Sequence, residues 1–389
     1  MPWDRRYSLL VLLMASFFAS MTARLSISPV VPDVIGAFDV SKGAIGLAMT
    51  AMWAAYALTQ FPGTLLSERV GARRVILLAL TLTALGSVAL SFTPSYPAFV
   101  VLVVLLGAGS GLYLPTAMAL LTRKFTNTGQ VLGLHYSGGD LAGLFAPVAA
   151  VTLALQFEWR VALLLGAVVA IPPLVAGFFF LPGPVETDGD GVRPEYDLAG
   201  LLGLLARPRV AYTTLLAVVT AFAFQALVTF FPTFLIEYWQ LPAGEASTLF
   251  SGVFLLWILF MPVSGRVADA TSYDAVLVAT LGSMALGMGL LVTVDAFRWA
   301  LVGVVLLGVG MSWGGVLSAR FMANLPDAGR TTGYGLARTV FTLLGSAGNV
   351  VVGVLATRAG WPVAYGLVAA LLGFAVLTLV VNRTFRLGF

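Results

Sequence analysis

The apolar residues of this chain gather in long runs separated by short polar stretches. A helix needs about 20 apolar residues to cross the ~30 Å hydrocarbon layer of a membrane. Runs of that length fall at about 9–32, 43–66, 75–92, 98–121, 131–155 and 161–181. Six more fall at about 210–236, 245–267, 275–294, 299–322, 332–356 and 362–382. Backbone polar groups in lipid must be satisfied within the segment, and none of these runs shows the alternation of a barrel strand, so helices are predicted. The expectation is an all-α polytopic membrane protein of twelve spans. The first run follows Met1-Pro-Trp-Asp-Arg-Arg. It exceeds a signal-peptide core and lacks a small-residue cleavage site, so it reads as the first helix of the mature protein.

Between the sixth and seventh runs lies the one extended polar segment, Pro182 to Asp197, rich in Gly, Pro and acids. It reads as a flexible linker. The predicted organisation is a six-helix bundle over 1–181, a cytoplasmic linker over 182–208 and a second bundle over 209–389. The two halves echo each other at an offset close to 200 residues. Pro62 to Arg69 (PGTLLSER) is matched by Pro262 to Ala270 (PVSGRVADA), Leu106-Gly-Ala-Gly by Leu307-Gly-Val-Gly, and Glu158-Trp-Arg-Val-Ala by Gly360-Trp-Pro-Val-Ala. Three landmarks in one order at one offset indicate a repeat, and because both halves begin on the same side it is a parallel one.

Composition agrees with the pattern. Of the 389 residues 59% are hydrophobic and 10% charged, against roughly a quarter charged in soluble domains. The net charge of +4 sits in loops and forms no amphipathic basic segment, so no nucleic acid is expected as a partner. Fifteen of the 21 basic residues lie on the side of the N-terminus, while Lys42, Arg160, Arg298 and Arg358 lie on the other. That bias predicts an inner or plasma membrane protein with both termini cytoplasmic. The remaining two, Arg24 and Arg338, fall within spans.

The loop after the second run reads Thr64-Leu-Leu-Ser-Glu68-Arg69-Val-Gly71-Ala-Arg73-Arg74. It resembles the signature of the major facilitator superfamily: Gly, three residues, Asp, a basic residue, one residue, Gly, one residue, two basic residues. Thr64 replaces the first Gly and Glu68 the Asp, while the second-half copy keeps Gly265 and Asp269 without the basic cluster. The resemblance covers the whole chain. It implies two six-helix bundles related by an axis along the membrane normal, with alternating access around a site near the midplane. It also implies that Glu68, Arg69, Arg73, Arg74 and Asp269 form a gate, the acid pairing with arginines or a neighbouring helix end in one state and releasing them in the other. The plainer reading of the three arginines is that they only set topology.

Ionisable side chains at bilayer depth are functional-site candidates because their insertion is costly. They are Arg24 in the first helix, His135 and Asp140 in the fifth and Arg338 in the eleventh. The stretch Thr22-Ala-Arg-Leu-Ser-Ile-Ser-Pro29 is similar to the first helix of the organophosphate and organic anion:cation symporter branches, where an Arg helps bind the anion. Those with a phosphate ester carry a second Arg on helix 7; here the repeat offset lands on Gln225, which points away from a phosphate ester. A guanidinium fork suits a planar carboxylate. Substrate-binding candidates are therefore Arg24, Arg338, Gln225 and two aromatics nearly one offset apart, Tyr56 and Trp257. The competing reading pairs one Arg with Asp140 as a packing device. Asp140, the only carboxylate well inside a span, is either a proton carrier or a fixed counter-ion, and His135 is a second candidate for proton coupling. Gly138, Gly139, Gly143 and Pro147 read as helix packing.

No phosphate-binding loop of the ATP-driven kind is present, and one His with no Cys supports no zinc site. No cofactor, metal or enzymatic activity is expected. The reading is a secondary transporter of a small carboxylate-like anion, proton-coupled, monomeric, with the lipid bilayer as its surroundings. The alternatives are an exporter of drug-like or hydrophobic compounds and a non-transporting membrane sensor.

Overall fold

The structure, a computed structural model, describes residues 5–183, 198–326 and 330–389. Residues 184–197 of the expected linker, Arg193 among them, lie outside the described residues. Twelve apolar helices long enough to span a membrane are present: α1 Arg6–Phe38, α2 Lys42–Val70, α3 Ala72–Ser91, α4 Tyr96–Lys124, α5 Thr128–Gln156, α6 Trp159–Phe180, α7 Pro208–Glu237, α8 Ala243–Ala270, α9 Tyr273–Thr293, α10 Phe297–Asn324, α11 Thr332–Arg358 and α12 Trp361–Phe385. A short helix, Leu198–Leu205, precedes α7. No strand occurs among the described residues. The helices outrun the apolar segments at several ends because their last turns continue into polar residues, as α2 does through Glu68 and Arg69.

Large apolar side chains lie on the outside as well as the inside. Phe179 is 78% exposed, Phe92 75% and Leu286 65%, whereas the inward faces bury alanine, serine and glycine. That distribution suits a lipid surround, where helices associate through close backbone approach rather than by hiding apolar area from water. The chain is a multi-pass membrane protein.

Glycines set the close approaches, and they do so twice. A Cβ at Gly107 of α4 would overlap the Met52 carbonyl of α2, and one at Gly109 would strike Leu82 of α3. In the second half a Cβ at Gly308 of α10 would strike Leu256 of α8, and one at Gly310 would strike Met284 of α9. Likewise Gly138 of α5 faces the Met14 carbonyl of α1, and Gly345 of α11 faces Ala221 of α7. The sequence echo is thus a repeat of contacts. The loop landmarks repeat too: Trp159 and Trp361 each open a helix and are buried. At the α2–α3 turn Gly71 takes φ +89°, a conformation in which other residues are strained.

Two compact units form. Unit 1 comprises Met1–Val40, Leu47–Gly191 and Thr229–Ser251; unit 2 comprises Ser41–Gly46, Val192–Val228 and Gly252–Phe389. Each sequence half thus lends a segment to the unit built mainly from the other. Within unit 1, Ser28 Oγ of α1 donates to the Thr229 carbonyl of α7 at 3.1 Å. Within unit 2, a Cβ at Gly46 of α2 would overlap the Asn349 carbonyl of α11, and Lys42 Nζ sits 5.7 Å from the Trp361 ring centre.

Candidate functional site

Arg24 ends the first regular stretch of α1, Arg5–Leu25, just before the chain tightens into the short 3-10 turn Ser28–Val30. Its side chain is buried. Nε donates to the Ser20 carbonyl at 3.3 Å and Nη2 approaches Met21 Sδ at 2.8 Å. The guanidinium carbon sits 4.9 Å from the Trp53 ring centre and 4.7 Å from that of Tyr56. These rings, one turn apart on α2, meet edge to face at 5.5 Å. Contacts of this kind are worth about 0.5–2 kcal/mol each, more where water is excluded. Two of them offset part of what it takes to hold an arginine at this depth. The structure therefore brings the predicted Arg24 and Tyr56 together and adds Trp53. The spacing Trp53-x-x-Tyr56 puts both rings on one helix face, which is the signal that would have revealed Trp53. Gln60 follows one turn along the same helix and is buried.

His135 and Asp140 share α5 but not an environment. His135 is fully buried and stacks on Phe17 at 5.1 Å. Its Nε2 lies 3.0 Å from the Tyr113 hydroxyl, which donates its single proton to the Leu13 carbonyl at 2.5 Å. The phenol oxygen is then the acceptor and the imidazole proton sits on Nε2. Asp140 is half-buried and makes no ion pair among the described residues. Because α1 and α5 run in the same direction with Gly138 against Met14 and Gly139 against Phe17, Asp140 stands about 9–12 Å along the axis from Arg24. Gly138 and Gly139 are packing positions.

In unit 2, Trp257 of α8 packs edge to face on Phe224 of α7 at 5.8 Å. The next residue, Gln225, is buried, and its Nε2 donates to the Thr342 carbonyl of α11 at 3.1 Å. Asn349 Nδ2 lies 3.5 Å from Gln225 Oε1. The Gln225 amide thus grips α11 where its ladder tightens, the Ser346 N–H reaching both the Thr342 and Leu343 carbonyls. Arg338 is half-buried on α11, one turn before Thr342. Gln225 thus lies beside the Phe224–Trp257 pair and holds α11, the helix that also carries Arg338, all in unit 2, whereas Arg24, Tyr56, Asp140 and His135 are in unit 1.

Of the gate candidates, Glu68, Arg69 and Arg74 are exposed, and Glu68 makes no ion pair among the described residues. Arg73 donates from Nη2 to the Phe178 carbonyl at 2.6 Å, tying the loop to the end of α6. Asp269 is exposed at the end of α8. Arg320 is buried in the last turns of α10.

Twelve tightly packed helices with a repeated contact pattern and charged groups inside the spans define a polytopic helical membrane protein. The family model of the Major Facilitator Superfamily matches residues 12–348 and 213–386, and the chain belongs to this family, which is not one of enzymes. It is 25% identical over 263 residues to a hexuronate transporter of Bacillus subtilis, a match covering 63% of this chain and 60% of that protein. It is 27% identical over 186 residues to a probable sulfoacetate transporter of Cupriavidus necator, covering 46% of this chain and 42% of that protein. The chain thus spans about half the length of these curated relatives. Among solved structures, a bacterial homologue of the human lysosomal transporter Spinster superposes with a TM-score of 0.83 at 14% identity, covering 99% of this chain and 98% of that one. That likeness is one of fold.

Proposed function

We propose that the chain is a secondary transporter of a small, carboxylate-like organic anion, working by alternating access in the inner or plasma membrane with both termini cytoplasmic. The observation that carries this reading is the buried Arg24 guanidinium of α1, whose carbon lies over the rings of Trp53 and Tyr56. A guanidinium presents paired N–H donors that match a carboxylate. The names of the two relatives, for hexuronate and sulfoacetate, fit the same class because both are small organic anions. The reading keeps the divisions 1–181, 182–208 and 209–389, a monomer, and a gate of Glu68, Arg69, Arg73, Arg74 and Asp269. Arg338 and Trp257 would face the substrate from the second half, with Gln225 holding α11 in place for them.

Proton coupling in this reading runs through Asp140. His135 is the weaker carrier, since its Nε2 is engaged by Tyr113 and its ring is stacked within α1 and α4. The test is uptake of labelled organic anions, hexuronates and sulfonates among them, into proteoliposomes with and without a pH gradient. Arg24→Ala is expected to abolish uptake, and full uptake by that variant would overturn the binding assignment. Asp140→Asn is expected to retain anion exchange and lose gradient-driven accumulation. Flux of lipophilic cations in place of anions would instead favour an exporter.

A further inference from the structure

The face of α2 that meets Arg24 carries one more polar group. At about 3.6 residues per turn, Gln60 points between the directions of Trp53 and Tyr56 and stands one turn beyond Tyr56. It is 8% exposed, and its Nε2 has no hydrogen-bond partner among the described residues. The polar groups beside it are satisfied: Thr59 Oγ1 donates to the Ala55 carbonyl at 2.8 Å, and Thr64 Oγ1 to the carbonyl of Gln60 itself at 3.3 Å. Gln225, the buried glutamine of α7, gives its Nε2 proton to a backbone carbonyl. A glutamine kept only for packing would do the same, because an unpaired buried amide is costly.

Long side chains on a helix lean toward its N-terminus, and α1 and α2 are consecutive spans running in opposite directions. Arg24 therefore leans back along α1, as its contacts with the Ser20 carbonyl and Met21 Sδ show. Gln60 leans the other way, along α2 toward Tyr56, so the two side chains converge. Ser20 is 1% exposed, and its hydroxyl has no partner among the described residues. We propose that Gln60 is a specificity-determining residue of the anion site: its carboxamide, with the Ser20 hydroxyl, binds a hydroxyl that the substrate carries on the carbon beside its carboxylate. A carboxamide holds both a donor and an acceptor, and a hydroxyl answers both. A second carboxylate only accepts, and an alkyl chain leaves the amide unpaired. A helical turn is about 5.4 Å, and the lean of both side chains shortens it, so the two oxygens they bind sit on neighbouring carbons. The substrate class is then a 2-hydroxy acid. This inference rests on the reading of Arg24 as the partner of the carboxylate.

The test titrates the purified full-length chain with pairs of acids that differ only by this hydroxyl: lactate and propionate, mandelate and phenylacetate, gluconate and 2-deoxygluconate. Dissociation constants come from the rise of melting temperature with ligand concentration. The hydroxy acid of at least one pair is expected to bind at least about tenfold more tightly than its deoxy partner. Gln60→Met, which keeps the length of the side chain without its amide, should bring the two constants of that pair within about twofold of each other. Gln60→Asn should give a ratio between the two, which guards against misfolding of the methionine form. A glutamine with a structural role alone would weaken both acids together and leave their ratio where it was. Equal binding within every pair overturns the inference, as does a preference that Gln60→Met leaves intact. Arg24→Ala separates this outcome from failure of the anion site. Binding that needs Arg24 but shows no preference in the wild-type chain defeats the hydroxyl assignment alone. Full binding by Arg24→Ala, or no binding of any of these acids, defeats the anion site and the inference with it.

Discussion

A planar, weakly hydrated guanidinium lies over two aromatic rings at Arg24, and that separates arginine from lysine. Lysine keeps the charge but has neither the flat surface for Trp53 and Tyr56 nor the paired donors of a fork. Arg24→Lys is therefore expected to lower the uptake rate at limiting anion at least about tenfold, the equivalent of about 1.4 kcal/mol. Trp53→Leu should raise KM several-fold with little change in kcat, measured by initial rates in proteoliposomes. Tyr113→Phe tests a different point: it removes the acceptor for the His135 Nε2 proton in a buried place, a loss of about 1–3 kcal/mol. A lowered melting temperature with uptake retained would identify that pair as structural, and unchanged stability would count against the assigned hydrogen bonds. Arg24 was legible in the sequence because a charge inside an apolar run is conspicuous. Trp53 was readable only through its three-residue spacing from Tyr56, which puts both rings on one helix face, and its contact with Arg24 across the helix interface was not.

At the scale of elements, hydropathy located all twelve helices, and their ends differ from it only where apolar runs give way to polar last turns. The repeat was readable in the glycine pairs Gly107 and Gly109, Gly308 and Gly310, but the partners of those glycines were not, because packing partners leave no trace in a single sequence. The exchange of segments between units was equally hidden. It makes Gly46 a sensitive position, since any side chain there meets the Asn349 carbonyl. Gly46→Val is expected to separate α2 from α11 at a penalty of about 1–3 kcal/mol. A single cysteine at Ser28, buried beside Thr229, then reports on the α1–α7 contact within unit 1. If loosening there spreads to α1, this cysteine should react faster with an impermeant maleimide in the Gly46→Val background. Equal rates would show that the α1–α7 and α2–α11 contacts open independently.

For the whole molecule, the loop charges and the alternation of twelve spans lead to one arrangement in the membrane. Single cysteines at Arg207 and Arg298, both exposed, should be labelled from opposite faces, Arg207 from the cytoplasm. Labelling of both from one face would overturn the orientation. The course of α11 bears on how such a molecule moves. Beyond the tightened turn at Ser346 the segment Ala347–Arg358 lies against Gly46, while before it Arg330–Gly345 carries Arg338. Gln225 fastens the turn itself by the Thr342 carbonyl. The turn at 342–346, held by Gln225 and lying at the junction of these two segments, is therefore the expected place for α11 to bend.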